Sequence, residues 1–257
     1  MDARKVEAAN GWLWIKQGWA LFQKNFVLWV VLVAIGSLGL NAIGSIPRLG
    51  DPLATLLSTV LFGGLLMGCR AQEKGEKLEL AHLFAGLRHN TTQLVALGGI
   101  TMVCKLLINA IAQQMGGGKP IVMTENTDPQ VLIDASIAGG VSAILACIAL
   151  LLLSYAPMLV IFNGLSPIAA MKASWRACWR NVGPLLVYGL VLLPLCFVAT
   201  LPIVLGEQMQ ASTQAATPTL SSLPLLFGWL ILGPLLLTSM YASYRDLFPT
   251  ISSSAQM

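Results

Sequence analysis

The sequence predicts an all-α fold: a polytopic membrane bundle of six transmembrane helices in three hairpins, each preceded by an amphipathic interfacial helix. Of 257 residues, 56% are hydrophobic and only 10% are charged, whereas a soluble domain carries about 25% charged residues. Six apolar runs are long enough to span a bilayer. A basic and aromatic segment closed by an asparagine occurs three times, at Asn25, Asn90 and Asn181. These observations predict one integral membrane domain over residues 1–257.

The repeated segment has the spacing of one helix face. The residues ten, six and three positions before each asparagine are Ile15, Trp19 and Phe22, then Leu80, Phe84 and Leu87, then Met171, Trp175 and Cys178. The residue directly before the asparagine is Lys24, His89 or Arg180, each able to carry positive charge. We interpret the three copies as membrane-surface helices that lead into transmembrane hairpins.

The first hairpin unit covers residues 1–69. Its leading segment, residues 1–26, places apolar side chains at helical spacing with basic residues largely off that stripe, as in interfacial helices. Tryptophan favours the headgroup level of a bilayer, so Trp12, Trp14 and Trp19 are expected to anchor this segment. Packing of the same stripe on the bundle is an equally good interpretation.

Two spans complete the first unit, over residues 27–46 and 53–69, and a tight turn joins them. The second span contains Gly63, Gly64 and Gly68. Small residues in transmembrane helices permit close helix approach, so we expect another element to pack against this face.

The second unit covers residues 70–163. A charged connection turns into the second surface helix before Asn90, and spans follow over residues 91–113 and 137–162. An irregular loop is predicted between them, over residues 114–136, from its glycines and prolines.

The third span is the least apolar because it contains Lys105 and Asn109. A lysine at the centre of a span costs ~3 kcal/mol, while each Leu, Ile or Val returns ~0.5 kcal/mol, so the balance is close to zero. Lys105 lies off-centre and is expected to reach the far interface, near Asp51 or Glu207. The alternative is a polar pathway formed by Asn41, Lys105 and Asn109.

The third unit covers residues 164–248. Ser166 and Pro167 have the residue types of an N-cap and a first helical position, and the helix they begin places Lys172, Arg176 and Arg180 at four-residue spacing. Beyond it, the pattern predicts a span over 182–205, a polar loop over 206–222, a span over 223–244 with a break at Gly233-Pro234, and a disordered tail over 249–257.

The distribution of Lys and Arg predicts the orientation. Twelve of these residues flank the spans on one predicted side and only two, Arg48 and Lys119, lie on the other. The positive-inside rule then places both termini in the cytoplasm. A third span is needed to keep Lys172, Arg176 and Arg180 on that side.

Reactive groups are missing from the predicted spans, which contain no Asp, Glu or His. General acid-base and nucleophilic chemistry need such groups, so we do not expect an enzyme. His82 and His89 lack a third ligand nearby, and no metal or cofactor is expected. The basic residues cluster at the ends of apolar runs instead of forming a basic domain, so nucleic acid is not an expected partner.

Several short motifs carry a resemblance to known proteins. They are Gly11-Trp12-x-Trp14, Gly18-Trp19-x-Leu21-Phe22, Phe62-Gly63-Gly64, Leu83-Phe84-Ala85-Gly86, Gly164-x-Ser166-Pro167 with Ser174 and Asn181, and Tyr241-x-x-Tyr244-Arg245-Asp246-Leu247-Phe248. Together they resemble an uncharacterised family of bacterial six-span inner-membrane proteins, which implies a proteobacterial inner-membrane location and no activity. A more distant likeness is to the membrane domain attached to some glycerophosphodiester phosphodiesterases.

The function that we predict is a non-enzymatic multi-pass inner-membrane protein that binds anionic lipid headgroups, or other membrane proteins, through its cytoplasmic surface helices. The residues predicted to contact lipid or the interface are Trp12, Lys16, Trp19, Lys24, Arg88, Lys172, Trp175, Arg176, Arg180 and Arg245. The alternative is a small-molecule transporter or channel with a polar site near Lys105 and Asn109.

Overall fold

The structure is a computed structural model that describes residues 3–115, 129–213 and 223–249. This part of the chain is helical and contains no strand. The α-helices are α1 (Asn10–Gln23), α2 (Phe26–Gly44), α3 (Gly50–Glu73), α4 (Thr91–Met115), α5 (Pro129–Leu153), α6 (Ala156–Asn163), α7 (Pro167–Arg180), α8 (Val182–Thr213) and α9 (Leu223–Leu247). A 3-10 helix, Leu80–Leu87, lies between α3 and α4.

Four described segments are long and apolar enough to cross a membrane: Phe26–Gly44, Gly50–Glu73, Thr91–Met115 and Gln130–Asn163. They coincide with the first four predicted spans. A fifth candidate is the pair formed by α7 and the first part of α8, which meet at an angle of 85°. Such an angle fits a surface helix that leads directly into a span.

The fourth predicted span differs from the observed helices in two ways. Helix α4 continues to Met115 and α5 begins at Pro129, so the irregular loop predicted over 114–136 is wrong for residues 114–115 and 129–136. Residues 116–128 lie outside the described chain. Helix α5 also stops at Leu153, and the chain becomes helical again at Ala156. Pro157 explains the break, because proline has no backbone N–H and disfavours helical geometry in the residue before it.

The break between α5 and α6 is stabilised by a side chain from α7. The hydroxyl of Ser174 donates to the Leu151 carbonyl at 2.8 Å and accepts the Tyr155 backbone N–H at 3.1 Å. Ser174 is fully buried. One hydroxyl therefore satisfies two backbone groups that the interrupted helix leaves without a helical partner.

Two further predictions near the C-terminus are wrong. Helix α8 continues to Thr213, so the polar loop predicted over 206–222 is wrong for residues 206–213, and residues 214–222 lie outside the described chain. Helix α9 runs through Pro234 without the predicted break. The predicted disordered tail lies outside the described residues from position 250 onward.

The second surface segment is a 3-10 helix instead of the predicted amphipathic α-helix. It lies directly on α3, because a Cβ added to Gly64 would be 2.4 Å from the His82 carbonyl oxygen, and one added to Gly86 would be 2.1 Å from the Val60 carbonyl oxygen. The close approach predicted for the glycines of α3 is thus confirmed at Gly64.

Helix α1 packs between α8 and α9 through a face that shares Ile15 and Phe22 with the predicted stripe, as the bundle-packing interpretation expects. Trp14, predicted to anchor the segment at the interface, is instead fully buried in the bundle. The buried residues of α1 are Gly11, Trp14, Ile15, Gly18 and Phe22. Trp12 and Trp19 belong to the predicted stripe, yet they are 45% and 40% exposed. The helix has two apolar faces, and the one that carries the glycines is buried because it lets the neighbouring backbones approach closely.

The remaining helices form a bundle in which α2 packs on α3 and α9, α3 on α4, and α4 on α5. On the other side α8 packs on α9, while α7 bridges from α5 to the start of α8. The core includes fully buried Trp14, Trp29 and Tyr155.

Candidate functional site

Helix α7 is a surface helix with one buried and one exposed face. Gly164, at φ +64°, ends α6 in the left-handed conformation that favours glycine. Ser166 then occupies the extended N-cap position before Pro167, although its side chain makes no capping hydrogen bond. The buried face of α7 is made of small residues, Ala170, Ala173, Ser174, Ala177 and Cys178. The helix can therefore lie close to its neighbours with its basic side chains outward.

A groove between α5 and α7 combines apolar and basic side chains. We call it the α7 groove; its volume is about 580 Å³ and its lining residues are Ile148, Leu152, Lys172, Trp175 and Arg176. Lys172 and Arg176 are exposed one helical turn apart, and Trp175 is half-buried between α5 and solvent. A positive edge on an apolar floor is complementary to an anionic amphiphile.

The basic surface continues toward the N-terminal segment. A second hollow of about 450 Å³ shares Trp175 and Arg176 with the α7 groove and adds Trp179 and Arg180. The rings of Trp175 and Trp179 meet edge to face with centroids 5.7 Å apart.

A third hollow, of about 750 Å³, brings Arg180 together with Arg4 and Lys5. Sequence reasoning used Arg4 and Lys5 only for orientation and did not place them beside α7. No local signal connects these positions, which are far apart along the chain.

The N-terminal segment is held in this place by Asn181, which is 1% exposed. Its side-chain oxygen accepts the Val6 backbone N–H at 2.9 Å, and its amide donates to the Arg4 and Ala177 carbonyls, each at 3.0 Å. The third asparagine of the repeat thus joins the N-terminus to the junction of α7 and α8.

Asp246, at the end of α9, accepts hydrogen bonds from side chains in the N-terminal part of the chain. Its carboxylate accepts the Asn10 amide at 2.7 Å and the Trp14 indole N–H at 2.9 Å, and it forms an ion pair with Arg4. Burial acts to raise the pKa of Asp246, but these hydrogen bonds and the guanidinium outweigh it and hold the pKa below its ordinary value.

The other predicted interface residues are distributed over the same molecule. Trp12, Lys16 and Trp19 share the outer face of α1, where the Lys16 ammonium lies 5.5 Å from the centroid of the Trp12 ring. Lys24 and Arg88 are exposed on connections. They are not brought into the α7 groove.

Arg245 has protein partners. It pairs with Glu73 and donates to Gln17 at 2.7 Å, and Glu73 also accepts the hydroxyl of Tyr241. These contacts tie α9 to α1 and α3, so Arg245 has a structural role whatever its relation to lipid.

The predicted polar pathway is not assembled in the described chain. Asn41 is exposed and donates to the Ser37 carbonyl of its own helix at 2.8 Å, and Asn109 is exposed on α4. The Lys105 ammonium lies 2.8 Å from the Asp51 carboxylate, which confirms the predicted approach to Asp51; the side chain of Glu207 lies outside the description.

A central cavity of about 700 Å³ lies inside the bundle, and none of the three pathway residues lines it. Its walls come from α2, α3, the 3-10 helix, α5, α7, α8 and α9, and leucine is the commonest lining residue. Among the described residues, no group of three or more His, Cys, Asp or Glu is placed to hold a metal ion.

Comparison with known proteins gives one relative. The chain is 27% identical to a probable inner membrane protein of Burkholderia thailandensis, over 96% of this chain and 94% of the relative. The protein is a multi-pass membrane protein. The relative and the apolar helices support this statement together, because the match extends over nearly the whole of both chains and the described helices include several candidate spans.

No family model matches this membrane protein, and no solved structure matches it significantly. The resemblance to uncharacterised bacterial inner-membrane proteins is thus supported by the Burkholderia relative. The likeness to the membrane domain of glycerophosphodiester phosphodiesterases receives no support from these comparisons.

Proposed function

We propose that this protein is a non-enzymatic, six-span protein of the bacterial inner membrane that binds anionic phospholipid headgroups on α7. The α7 groove carries the proposal, because Lys172 and Arg176 border an apolar floor made by Ile148 and Leu152. Lysine and arginine would hold the phosphate, and the floor would hold the first carbons of an acyl chain.

The energetic case rests on the number of basic groups. Each basic residue near an anionic leaflet contributes ~1 kcal/mol. Lys172, Arg176 and Arg180, all exposed on one helix, would supply ~3 kcal/mol, which is roughly a hundredfold preference for anionic over zwitterionic lipid before screening by salt. Trp175 and Trp179 add side chains that favour the headgroup level.

Six spans with both termini in the cytoplasm are supported by charge and by one contact. Twelve of the fifteen Lys and Arg residues flank the spans on one predicted side. Arg4 meets Asp246, so the beginning and end of the described chain lie at the same end of the bundle. An even number of crossings agrees with that placement, and α8 and α9 are the two spans needed beyond the first four.

A non-enzymatic role is supported by the structural engagement of two carboxylates, Asp246 and Glu73. Asp246 and Glu73 are engaged with Arg4 and Arg245. These pairings join separate parts of the fold, which gives both carboxylates a structural role. The predicted spans contribute no further carboxylate or histidine.

The test is lipid retention by a charge-neutralised groove. Lys172→Gln with Arg176→Gln is compared with Lys74→Gln with Lys77→Gln, which removes the same charge from an exposed connection. Native mass spectrometry of protein purified in mild detergent measures bound phosphatidylglycerol and cardiolipin per chain. We expect both lipids to fall several-fold in the groove variant and to stay at the wild-type level in the control.

Equal anionic lipid content in the two variants, at matched yield and unchanged helix content, would contradict headgroup binding on α7. Lys172, Arg176 and Arg180 would then act only in setting the orientation of the protein in the membrane. Trp175→Ala is a second variant that leaves the charge of the groove unchanged. It should reduce the bound anionic lipid less than the loss of Lys172 and Arg176 does.

A further inference from the structure

The central cavity is separate from the α7 groove and offers a different chemistry. Its lining includes Leu32 and Gly36 of α2, Leu61 of α3, Leu151 of α5, Leu192 of α8 and Leu237 of α9. A volume of about 700 Å³ falls within the range of ligand sites, which is roughly 300–1,000 Å³. It is several times larger than an apolar cavity of ~150 Å³ that already binds small hydrocarbons.

Most hydroxyl groups in the wall are hydrogen-bonded to protein partners. Ser58 donates to the Thr55 carbonyl at 2.8 Å, and Ser243 donates to the Met240 carbonyl at 2.7 Å.

The tyrosine hydroxyls of the wall behave in the same way. Tyr155 donates to Ser243 at 3.2 Å, and the Tyr188 and Ser239 hydroxyls are 2.8 Å apart. A buried water needs two to four polar partners, and this wall offers few that are not already used. The cavity is therefore suited to an apolar occupant.

The helix contacts indicate an opening from the cavity to the side of the bundle. Helices α5 and α8 both line the cavity, yet α5 packs on α4 and α7 while α8 packs on α1 and α9, and the two make no substantial contact in the described chain. Leu150 lines the cavity and is 64% exposed, so it lies at the edge of this opening.

The surface around the opening is apolar. Leu186, Leu190 and Leu193 on the outer face of α8 are 60 to 67% exposed, as expected for side chains that face lipid. An opening at this level leads into the hydrocarbon core of the bilayer.

We propose that the central cavity binds one acyl chain of a bilayer phospholipid, which enters sideways between α5 and α8. Acyl chains are the abundant apolar solute at that depth, and an apolar void of this size in contact with them would not stay empty. The proposal is independent of headgroup binding on α7, since the two sites share no lining residue.

The proposal is tested by filling the cavity with a larger side chain. A Cβ added to Gly189, which lines the cavity on α8, meets no atom within 4 Å, and the same holds for Gly39, which is exposed on the outside of α2. Gly189→Trp would occupy the proposed chain site, whereas Gly39→Trp makes the same change facing lipid. Gly189→Leu is a milder version in case the tryptophan prevents folding.

The probe is phosphatidylglycerol with a photoactivatable diazirine in the middle of one acyl chain, in vesicles of phosphatidylethanolamine and phosphatidylglycerol. Labelled positions are mapped by mass spectrometry. We expect labelling of cavity positions such as Leu192 and Leu237, reduced about tenfold by Gly189→Trp and unchanged by Gly39→Trp.

Three results would overturn the proposal. They are label confined to outer positions such as Leu186 and Leu190, label at cavity positions that survives Gly189→Trp, and preferential labelling by an isoprenoid probe that competes with the phospholipid. The Lys172→Gln, Arg176→Gln variant should keep the cavity label, so failure of the headgroup site and failure of the cavity site give different results.

Discussion

Arg4 and Asp246 form an ion pair between side chains 242 positions apart in the chain. The carboxylate is 18% exposed and the guanidinium 56%. The pair is reinforced by a backbone hydrogen bond of 2.8 Å from Arg4 to the Leu247 carbonyl. The N-terminal segment therefore closes on the end of the last helix, beside the basic surface of α7.

Replacement of Asp246 by asparagine should destabilise the protein by about 1 to 3 kcal/mol, because three donors lose a charged acceptor. Thermal unfolding in detergent, followed by tryptophan fluorescence, measures the change, since the Trp14 indole is one of those donors. Glu76→Gln is the matched control, as Glu76 is exposed. Equal stability of the two variants would contradict a structural role for Asp246.

Protonation of Asp246 at low pH should remove the stability that its carboxylate contributes. The pKa of Asp246 is lowered in the folded protein from its ordinary value of 3.8, so its charge stabilises the fold at and above the unfolded-state pKa. That stability is lost as the pH falls through the lower folded-state pKa. Melting temperatures measured between about pH 5 and pH 2 should fall less steeply for Asp246→Asn than for the wild type. Parallel profiles would show that Asp246 does not contribute.

Lys105→Leu should fold and express at least as well as the wild type. The partners Lys105 and Asp51 are 48% and 69% exposed, and pairs of this kind contribute about 0 to 1 kcal/mol. A lysine within a span opposes insertion by more than that. Membrane yield and melting temperature test the expectation. A well-folded Lys105→Leu protein that loses a cellular phenotype would favour a transport role.

Gly18→Ala should destabilise the packing of α1 on α9 by roughly 1 to 3 kcal/mol or more. The added Cβ would lie 2.5 Å from the Ser239 backbone, and a backbone atom cannot rotate away. Gly39→Ala, where the added carbon meets nothing within 4 Å, serves as control and should be neutral or stabilising. Wild-type melting of Gly18→Ala would disprove the close contact.

Topology reporters fused near Asp51, Glu125 and Gln214 should all read as periplasmic, because the six-span arrangement places these three connections outside. A fusion after Lys77, within the basic connection, should read as cytoplasmic and provides the control. Cytoplasmic signal from the Glu125 fusion would defeat the arrangement, which depends on α4 crossing the membrane despite Lys105.

Prediction from sequence succeeded where one local rule applied. Helices α2 and α4 were predicted within a few residues because length and hydropathy are enough to define an apolar span. The end of α6 at Asn163 and the start of α7 at Pro167 followed from glycine and proline, which restrict the backbone at their own positions.

Prediction failed where two local rules competed. Pro157 breaks the fourth span and Pro234 does not break the last helix, although both are prolines in apolar runs. The difference lies in the surroundings, since Ser174 from α7 satisfies the backbone opened near Pro157. On α1 the predicted stripe is only partly buried, because Trp19 stays exposed while Trp14, which lies off the stripe, is buried.

The sequence by itself determined that this protein is helical and lies in a membrane, since both properties depend on the average polarity of continuous segments. It also determined which residues make α7 basic. Only the tertiary structure decided that Asn181 and Asp246 hold the N-terminal segment beside α7, and that α5 and α8 leave an apolar cavity open to the side. Those features depend on contacts between residues remote in sequence, whose geometry is set by the packing of the whole bundle and by no local pattern.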